Sequence, residues 1–195
     1  VYSQNIVGYA NVITPNIYQL LANPLTNSAG NSLTNILAGV PKGTQVLLWN
    51  GASYNSYTKN AITGAWPAGA GTNNLDPGVG FFLKVPILYT NTFVGEVVGS
   101  AAGGTNSLPL AGGVYQLVGS PVPLGGTVNS NGPAALNLGA TLSKGSQILA
   151  WNGSSYNSAT KNAITGVWNT NLPVNIGQGI FVKPGLATNW VQTLQ

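Results

Sequence analysis

The alternation of apolar and polar positions divides the chain into short runs separated by Gly, Pro and Asn. Residues 1–15 predict a strand centred on Ile6 to Ile13 and stopped by Pro15. Ile17 to Ala22 predicts a second strand, ended by Asn23-Pro24. Leu33, Ile36 and Leu37 recur at helical spacing, which predicts one helical turn over Ser32 to Gly39 with Gly39 at the C′ position. Gln45 to Trp49 predicts a strand, Asn50-Gly51 a tight turn and Ser53 to Lys59 the returning strand. Asn-Gly suits a type I′ hairpin because both central residues need positive φ. Asn60 to Gly64 predicts another turn, and Trp66 the start of a further strand. After a Gly-, Pro- and Asn-rich loop from Pro67 to Gly78, Gly80 to Val85 and Thr90 to Val98 complete the set.

The same pattern then returns. Lys42 to Trp66 and Lys144 to Trp168 match at 19 of 25 positions, at a constant offset of 102 residues. A repeat this long indicates duplication of a domain, not the 20–50-residue unit of a solenoid. FFLKV of the first copy answers IFVKP near Phe181 at an offset of 99, so the second copy has three fewer loop residues. Tyr115-Gln116-Leu117 answers Tyr18-Gln19-Leu20. Ser100 to Gly104 reads as a linker or loop, and Gly125 to Gly139 shows no clear period. Short strands punctuated by turn residues, without a long helix, predict an all-β protein of two tandem duplicated β-sandwich-like domains, Ig-like or jelly-roll-like. The expected boundaries are 1–96 and 97–195.

Composition narrows the function. Of 195 residues, 44% are hydrophobic, enough for a core, but only 4% are charged, against about a quarter in ordinary globular chains. All six basic residues are Lys; Asp76 and Glu96 are the only acids; His, Cys and Met are absent. A surface of Asn, Ser, Thr, Gly and Gln repels itself weakly and tolerates close packing of many copies. A net charge of +4 on scattered lysines argues against a nucleic-acid partner. No run reaches the roughly 18 apolar residues that predict a membrane span, so no membrane insertion is expected. The start at Val1 leads to the expectation that a signal peptide has been removed, which with the lack of oxidisable sulfur suits a secreted, extracellular or cell-surface protein.

Catalytic chemistry finds few candidates. Without His and Cys there is no Ser–His–Asp or Cys–His arrangement. Asp76 and Glu96 occur in one copy only, one in a loop and one on a strand, and read as solvated acids, not a glycosidase pair. Zinc lacks soft ligands, and Asn73-Asn74-Leu75-Asp76 offers calcium a single carboxylate. No catalytic residue, metal or cofactor is therefore expected. Lys59 and Lys161, each followed by Asn, raise a lysine–asparagine amide crosslink, but that chemistry wants a buried acid and the second copy has none; the plainer reading is a strand-end lysine that keeps an edge soluble. Trp49, Tyr54, Trp151 and Tyr156 flank the two hairpin turns. They read first as cross-strand packing and second as sugar-stacking platforms.

The chain ends suggest a further possibility. Thr92 to Gly99 combines a segment like Asn189-Trp190-Val191-Gln192 with one like Asn5-Ile6-Val7-Gly8, as though a tail had been fused to a head. An incomplete sandwich filled by the next subunit's first strand would propagate as an open filament. Two readings follow. In one, Ile6, Val7, Tyr9, Val12 and Ile13 form a donor strand, and Trp190, Val191 and Phe181 mark the acceptor side of a head-to-tail homopolymer. In the other, residues 1–13 pair within their own domain. The leading function is thus a subunit of a self-assembling fibre or surface layer. The alternative is a carbohydrate-binding or adhesive module, with polysaccharide as partner.

VGY near the start, YQLLANPL, VLLWNGASY, GVGFF and TNTFVGEVV, in that order, resemble a class of secreted bacterial proteins numerous as paralogues in Verrucomicrobia and Planctomycetes. Those run NVVGYVNV, LIANPL, WNG, GEGFF and TNTFVGEV, followed by a second related half. The resemblance covers nearly the whole chain. It implies secretion through a cleaved signal and a two-part β architecture, and it brings no known activity or binding residue. The chain departs from the pattern at Val79 and Gln178, where the class tends to carry Glu before GFF.

Overall fold

The computed structural model describes residues 6–98, 104–132 and 134–193. The chain is all-β and sandwich-like, with only short helical pieces. In the first half, β1 (Ile6–Ile13), β2 (Gln19–Ala22), α1 (Leu33–Ile36), β3 (Gln45–Trp49), β4 (Tyr54–Thr58), β5 (Gly80–Lys84) and β6 (Tyr89–Glu96) follow in order. The second half runs β7 (Thr105–Leu110), β8 (Gln116–Gly119), β9 (Gly126–Thr127), α2 (Leu138–Thr141), β10 (Gln147–Trp151), β11 (Tyr156–Thr160), β12 (Pro173–Val174), β13 (Gly179–Lys183) and β14 (Thr188–Thr193). The predicted linker from Ser100 lies largely outside the described residues.

Each half holds a four-stranded antiparallel sheet and a two-stranded ribbon. The sheets run β2-β5-β3-β4 and β8-β13-β10-β11; the ribbons are β1-β6 and β7-β14. The small β9-β12 pair belongs to the second half alone. Among the described residues all strand ladders stay within one half, and the isolated bridges Leu21–Gln178 and Val79–Val118 link the backbones of the two.

Strand alternation places a core on both faces of each sheet. Leu21, Val46, Phe81 and Leu83 point toward the ribbon, where they pack with Ile13, Leu33, Leu37 and Phe93. Their neighbours Leu20 and Phe82, with Leu47 and Trp49, point the other way. The second half repeats the arrangement. Ile148, Ile180 and Val182 meet Leu110 and Trp190, while Leu117, Phe181, Leu149 and Trp151 face outward from that core. The two outward faces pack on each other. Four layers result, ordered ribbon, sheet, sheet, ribbon. A central strand buried on both faces carries no polar alternation, which accounts for the unbroken GFFLK of β5 and GIFVK of β13.

Several expectations are corrected in detail. The hairpin turns at Gly51-Ala52, with Gly51 at φ 100, while Asn50 stays at negative φ. Its Oδ1 instead accepts from the Ala52 and Ser53 amides. Gly39 is not a left-handed C′ residue; it is small because a Cβ there would come within 3.1 Å of the Tyr89 hydroxyl. Trp66 starts no strand. The segment Gly125 to Gly139, without a readable period, buries Val128, Leu136 and Leu138.

The first strand pairs with its own domain. β1 lies antiparallel to β6 from Ile6–Glu96 to Ile13–Tyr89, and β7 covers β14 from Thr105–Thr193 to Leu110–Thr188. Of the expected donor residues, Ile13 is fully buried in its own core, Val12 is exposed, and Tyr9 is half-buried; Ile6 and Val7 hold the first two ladder positions. The expected acceptor is filled from within. Trp190 is sealed in the core of the second half, Phe181 is buried between the halves, and Val191 stands on the exposed face of β14. The pairing is in cis because each ribbon strand finds its apolar partners in the same half.

The approach of the halves is tightest at Gly119, where a Cβ would sit 2.1 Å from the Ala22 Cβ. Gly119→Ala is therefore expected to force the sheets apart and destabilise the chain by about 1–3 kcal/mol. Gly8→Ala, whose Cβ would meet nothing closer than 3.9 Å, is expected to stay within about 0.5 kcal/mol. Chemical denaturation of both variants checks this.

Candidate functional site

The junction between the halves collects most of the residues singled out from sequence. Trp49 reaches across to Phe181 at a centroid distance of 5.3 Å, and Trp151 to Phe82 at 5.6 Å, both edge-to-face. Each indole also bonds across the junction: Trp49 Nε1 donates to the Tyr115 carbonyl at 3.0 Å, and Trp151 Nε1 to the Tyr18 carbonyl at 2.6 Å. Tyr54 packs on Phe82 and Tyr156 on Phe181. Burial, and then the neighbouring Tyr156 hydroxyl, raises the Tyr54 phenol above its ordinary range. The two Trp–Tyr pairs thus form a reciprocal clasp between halves. Their rings pack edge-to-face on one another and on Phe82 and Phe181, while Tyr54 and Tyr156 remain more than a third exposed.

Tyr18 and Tyr115 buttress the clasp. Their hydroxyls donate to Gln45 Oε1 at 3.0 Å and Gln147 Oε1 at 2.7 Å. Lys84 and Lys183 lie over their rings, 5.0 and 5.5 Å from the centroids.

Lys59 and Lys161 turn inward, which corrects their reading as solubilising edge lysines. Lys59 Nζ donates to the Ala38 and Val40 carbonyls at 2.8 and 2.9 Å, and Lys161 Nζ to those of Gly139 and Leu142 at 2.8 and 2.6 Å. These carbonyls follow or end α1 and α2, where the short helices leave acceptors unpaired. Trp66 and Trp168 flank the two amines at 5.7 and 5.8 Å. Lys42 and Lys144 bond the Ile62 and Ile164 carbonyls at 2.7 and 2.6 Å. The six lysines therefore form three repeated pairs, each tied to its own chain. That pairing was visible in the spacing of the lysines, which sequence reasoning had taken as scattered.

The two acids do not form a site of this kind. Asp76 Oδ1 accepts from Asn31 Nδ2 at 2.9 Å, and Glu96 ends β6, its backbone bonded to Thr26. Among the described residues no cluster of three or more His, Cys, Asp or Glu side chains gathers, and no helix is long and apolar enough to cross a membrane.

A cleft of about 540 Å³ opens beside the clasp, where β1 and β2 meet the turn after Trp151 and the loop before β13. Sequence reasoning missed it, because its walls come from both halves. Tyr9, Asn11 and Gln19 stand on one side, and Trp151, Asn175 and Gln178 on the other.

Burial of Lys59 lowers its pKa from the ordinary 10.5. The folded chain then releases this proton at lower pH than the unfolded chain, so this lysine makes stability rise as pH climbs from the folded pKa toward 10.5. Lys59→Met is expected to remove that rise. Urea midpoints of both chains between about pH 8 and 10 check it, a parallel response being the contrary result. Comparison of the chain with protein-family models, with curated proteins and with solved structures found no match in any of the three.

Proposed function

We propose that this chain is an extracellular structural protein whose copies join through open sheet edges into a fibre or surface layer. The observation that carries this reading is the outer edge of β4. Lys59 N bonds Thr44 O and Asn50 N bonds Ser53 O, so alternate residues of β4 face β3. Tyr54, Ser56 and Thr58 turn their backbone N–H and C=O groups the other way, and β4 is the last strand of its sheet. Edges of this kind are ordinarily blunted by charge, proline or a cover. Tyr54–Thr58 carries none of these; it reads YNSYT and is largely exposed.

β11 is the matching edge of the second half, reading YNSAT. There Asn169 partly closes the end: its N–H donates to the Thr160 carbonyl at 3.1 Å, and its Oδ1 accepts from the Thr160 amide at 2.8 Å. In the first half Pro67 stands 102 residues earlier and has neither group to offer. At β4 and β11, among the described residues, each copy thus presents one open and one mostly open edge. Pairing β4 of one copy along β11 of the next is heterologous, the class of contact that builds an open filament when its rotation does not close. The scarcity of charge supports this role, since neutral strands meet without repulsion. Strand donation by residues 1–13 is set aside as the joint, because β1 and β7 both complete their own ribbons.

Ser56→Lys places a charge at the centre of the β4 edge and is expected to leave only monomer where the parent chain forms polymers. Negative-stain images and sedimentation of the two chains, with circular dichroism to establish that both fold, make the comparison. A parent chain that stays monomeric at high concentration, or a Ser56→Lys chain that polymerises equally, would sink the reading.

A further inference from the structure

We infer that the cleft between β1 and the second half binds a neutral oligosaccharide. This inference is independent of the assembly reading, since none of its residues lies on the β4 edge. The cleft has the volume of a small-ligand site at about 540 Å³, and no Lys, Asp or Glu lines it. Phosphates, carboxylates and amines therefore find no counter-charge there.

Its polar side chains are mostly amides, with the Thr14 and Tyr9 hydroxyls beside them. Asn11, Gln19, Asn175 and Gln178 each carry both a donor and an acceptor, the pairing that vicinal hydroxyls require. Gln178 is held in place by its Oε1, which accepts from the Asn175 amide at 2.9 Å and leaves Nε2 to point elsewhere. Tyr9 and Trp151 add ring surface for the C–H face of a sugar. The Trp151 N–H is engaged by the Tyr18 carbonyl, so the indole offers only apolar surface.

Asn11 is the group that singles out this side of the molecule. Among the described residues Asn11, Asn91 and Asn106 each keep Nδ2 buried without a hydrogen-bond partner, and of these three Asn11 is the one that lines the cleft. The related position of the second half shows the alternative. Gly177 lets β1 approach, with Asn11 Nδ2 3.0 Å from where its Cβ would be; Gly78 does the same for β7, with Leu108 at 3.2 Å. Asn11 stands opposite Asn91, and Leu108 opposite Trp190. One half therefore fills this place with apolar packing, and the other keeps a polar pair, Asn11 and Asn91, whose Nδ2 atoms are both buried without a partner, Asn11 beside the cleft. Rotation of the Asn11 side chain into the cleft would let a ligand hydroxyl satisfy its Nδ2.

The test uses the full chain and soluble hexasaccharides of β-1,4-linked glucose, mannose and xylose, with a neutral Gly/Asn/Ser hexapeptide alongside. Isothermal calorimetry measures affinity, and side-chain amide resonances locate the ligand. At least one hexasaccharide is expected to bind and to shift the Asn11 and Gln178 signals. Asn11→Leu, which copies the solution of the second half, is expected to fold and to bind about tenfold more weakly, the worth of roughly one hydrogen bond. Gln178→Ala is expected to weaken binding similarly and leaves β1 untouched, so it decides the matter should Asn11→Leu misfold. The proposal is overturned if no hexasaccharide binds below about 10 mM, if only the peptide binds, or if binding survives the variant that folds unchanged.

Discussion

The face-to-face contact of the two four-stranded sheets is the constraint on which the rest of the molecule depends. Leu20 and Phe82 of one half meet Leu117 and Phe181 of the other, and all four are almost fully buried. These side chains lie on the face that a two-layer sandwich would leave in water. A half standing alone would expose them beside Leu47 and Trp49, a contiguous apolar patch of the kind that drives association. The halves consequently share a buried apolar contact even though their ladders are separate. Two indole N–H groups reinforce the contact from opposite sides, each donating to the backbone of the other half. Close approach also requires absent side chains. Gly80, Gly119 and Gly179 sit where a Cβ would press on Leu117, on Ala22 and on the Leu21 carbonyl and Leu20 side chain.

Much of this was legible in the sequence, for reasons that differ by element. The apolar runs Gly80–Lys84 and Gly179–Lys183 announce strands because burial on both faces removes any need for alternation. The first ribbon strand was visible from its apolar run and the Pro15 stop, and Ser32 marks the start of α1, its side chain accepting from the Asn35 amide. β7 was not legible. Its TNSLPL is polar and contains Pro109, which suits only a ribbon or edge strand. The Asn-Gly pair suggested a turn one residue too early because Asn50 uses its side chain, not a left-handed backbone, to shape the loop.

The site was harder to foresee than the fold. Trp49, Tyr54, Trp151 and Tyr156 were evident as a group, but local pattern does not say whether an aromatic beside a turn faces solvent or a second sheet. Only the tertiary arrangement decides, and here it turns all four toward the junction. The cleft is less accessible still to sequence reading. Its residues come from three separate stretches, and its distinguishing residue, Asn11, acquires meaning only when Leu108 is seen in the matching place.

The lysines connect the fold to the surface it presents. A chain with six cations and two anions would ordinarily use them to keep copies apart. Here Lys42, Lys59, Lys144 and Lys161 bond backbone carbonyls of their own chain, and Lys84 and Lys183 lie over tyrosine rings. Their charges are fixed at loop bases and strand ends, away from the middle of β4 and β11. Those strands keep only Tyr, Asn, Ser, Thr and Ala. The internal use of the lysines therefore has an external consequence. By closing loops and helix ends with the few charges available, the fold leaves the β4 and β11 edges neutral, and neutral edges lack the electrostatic barrier that most β-proteins raise against one another.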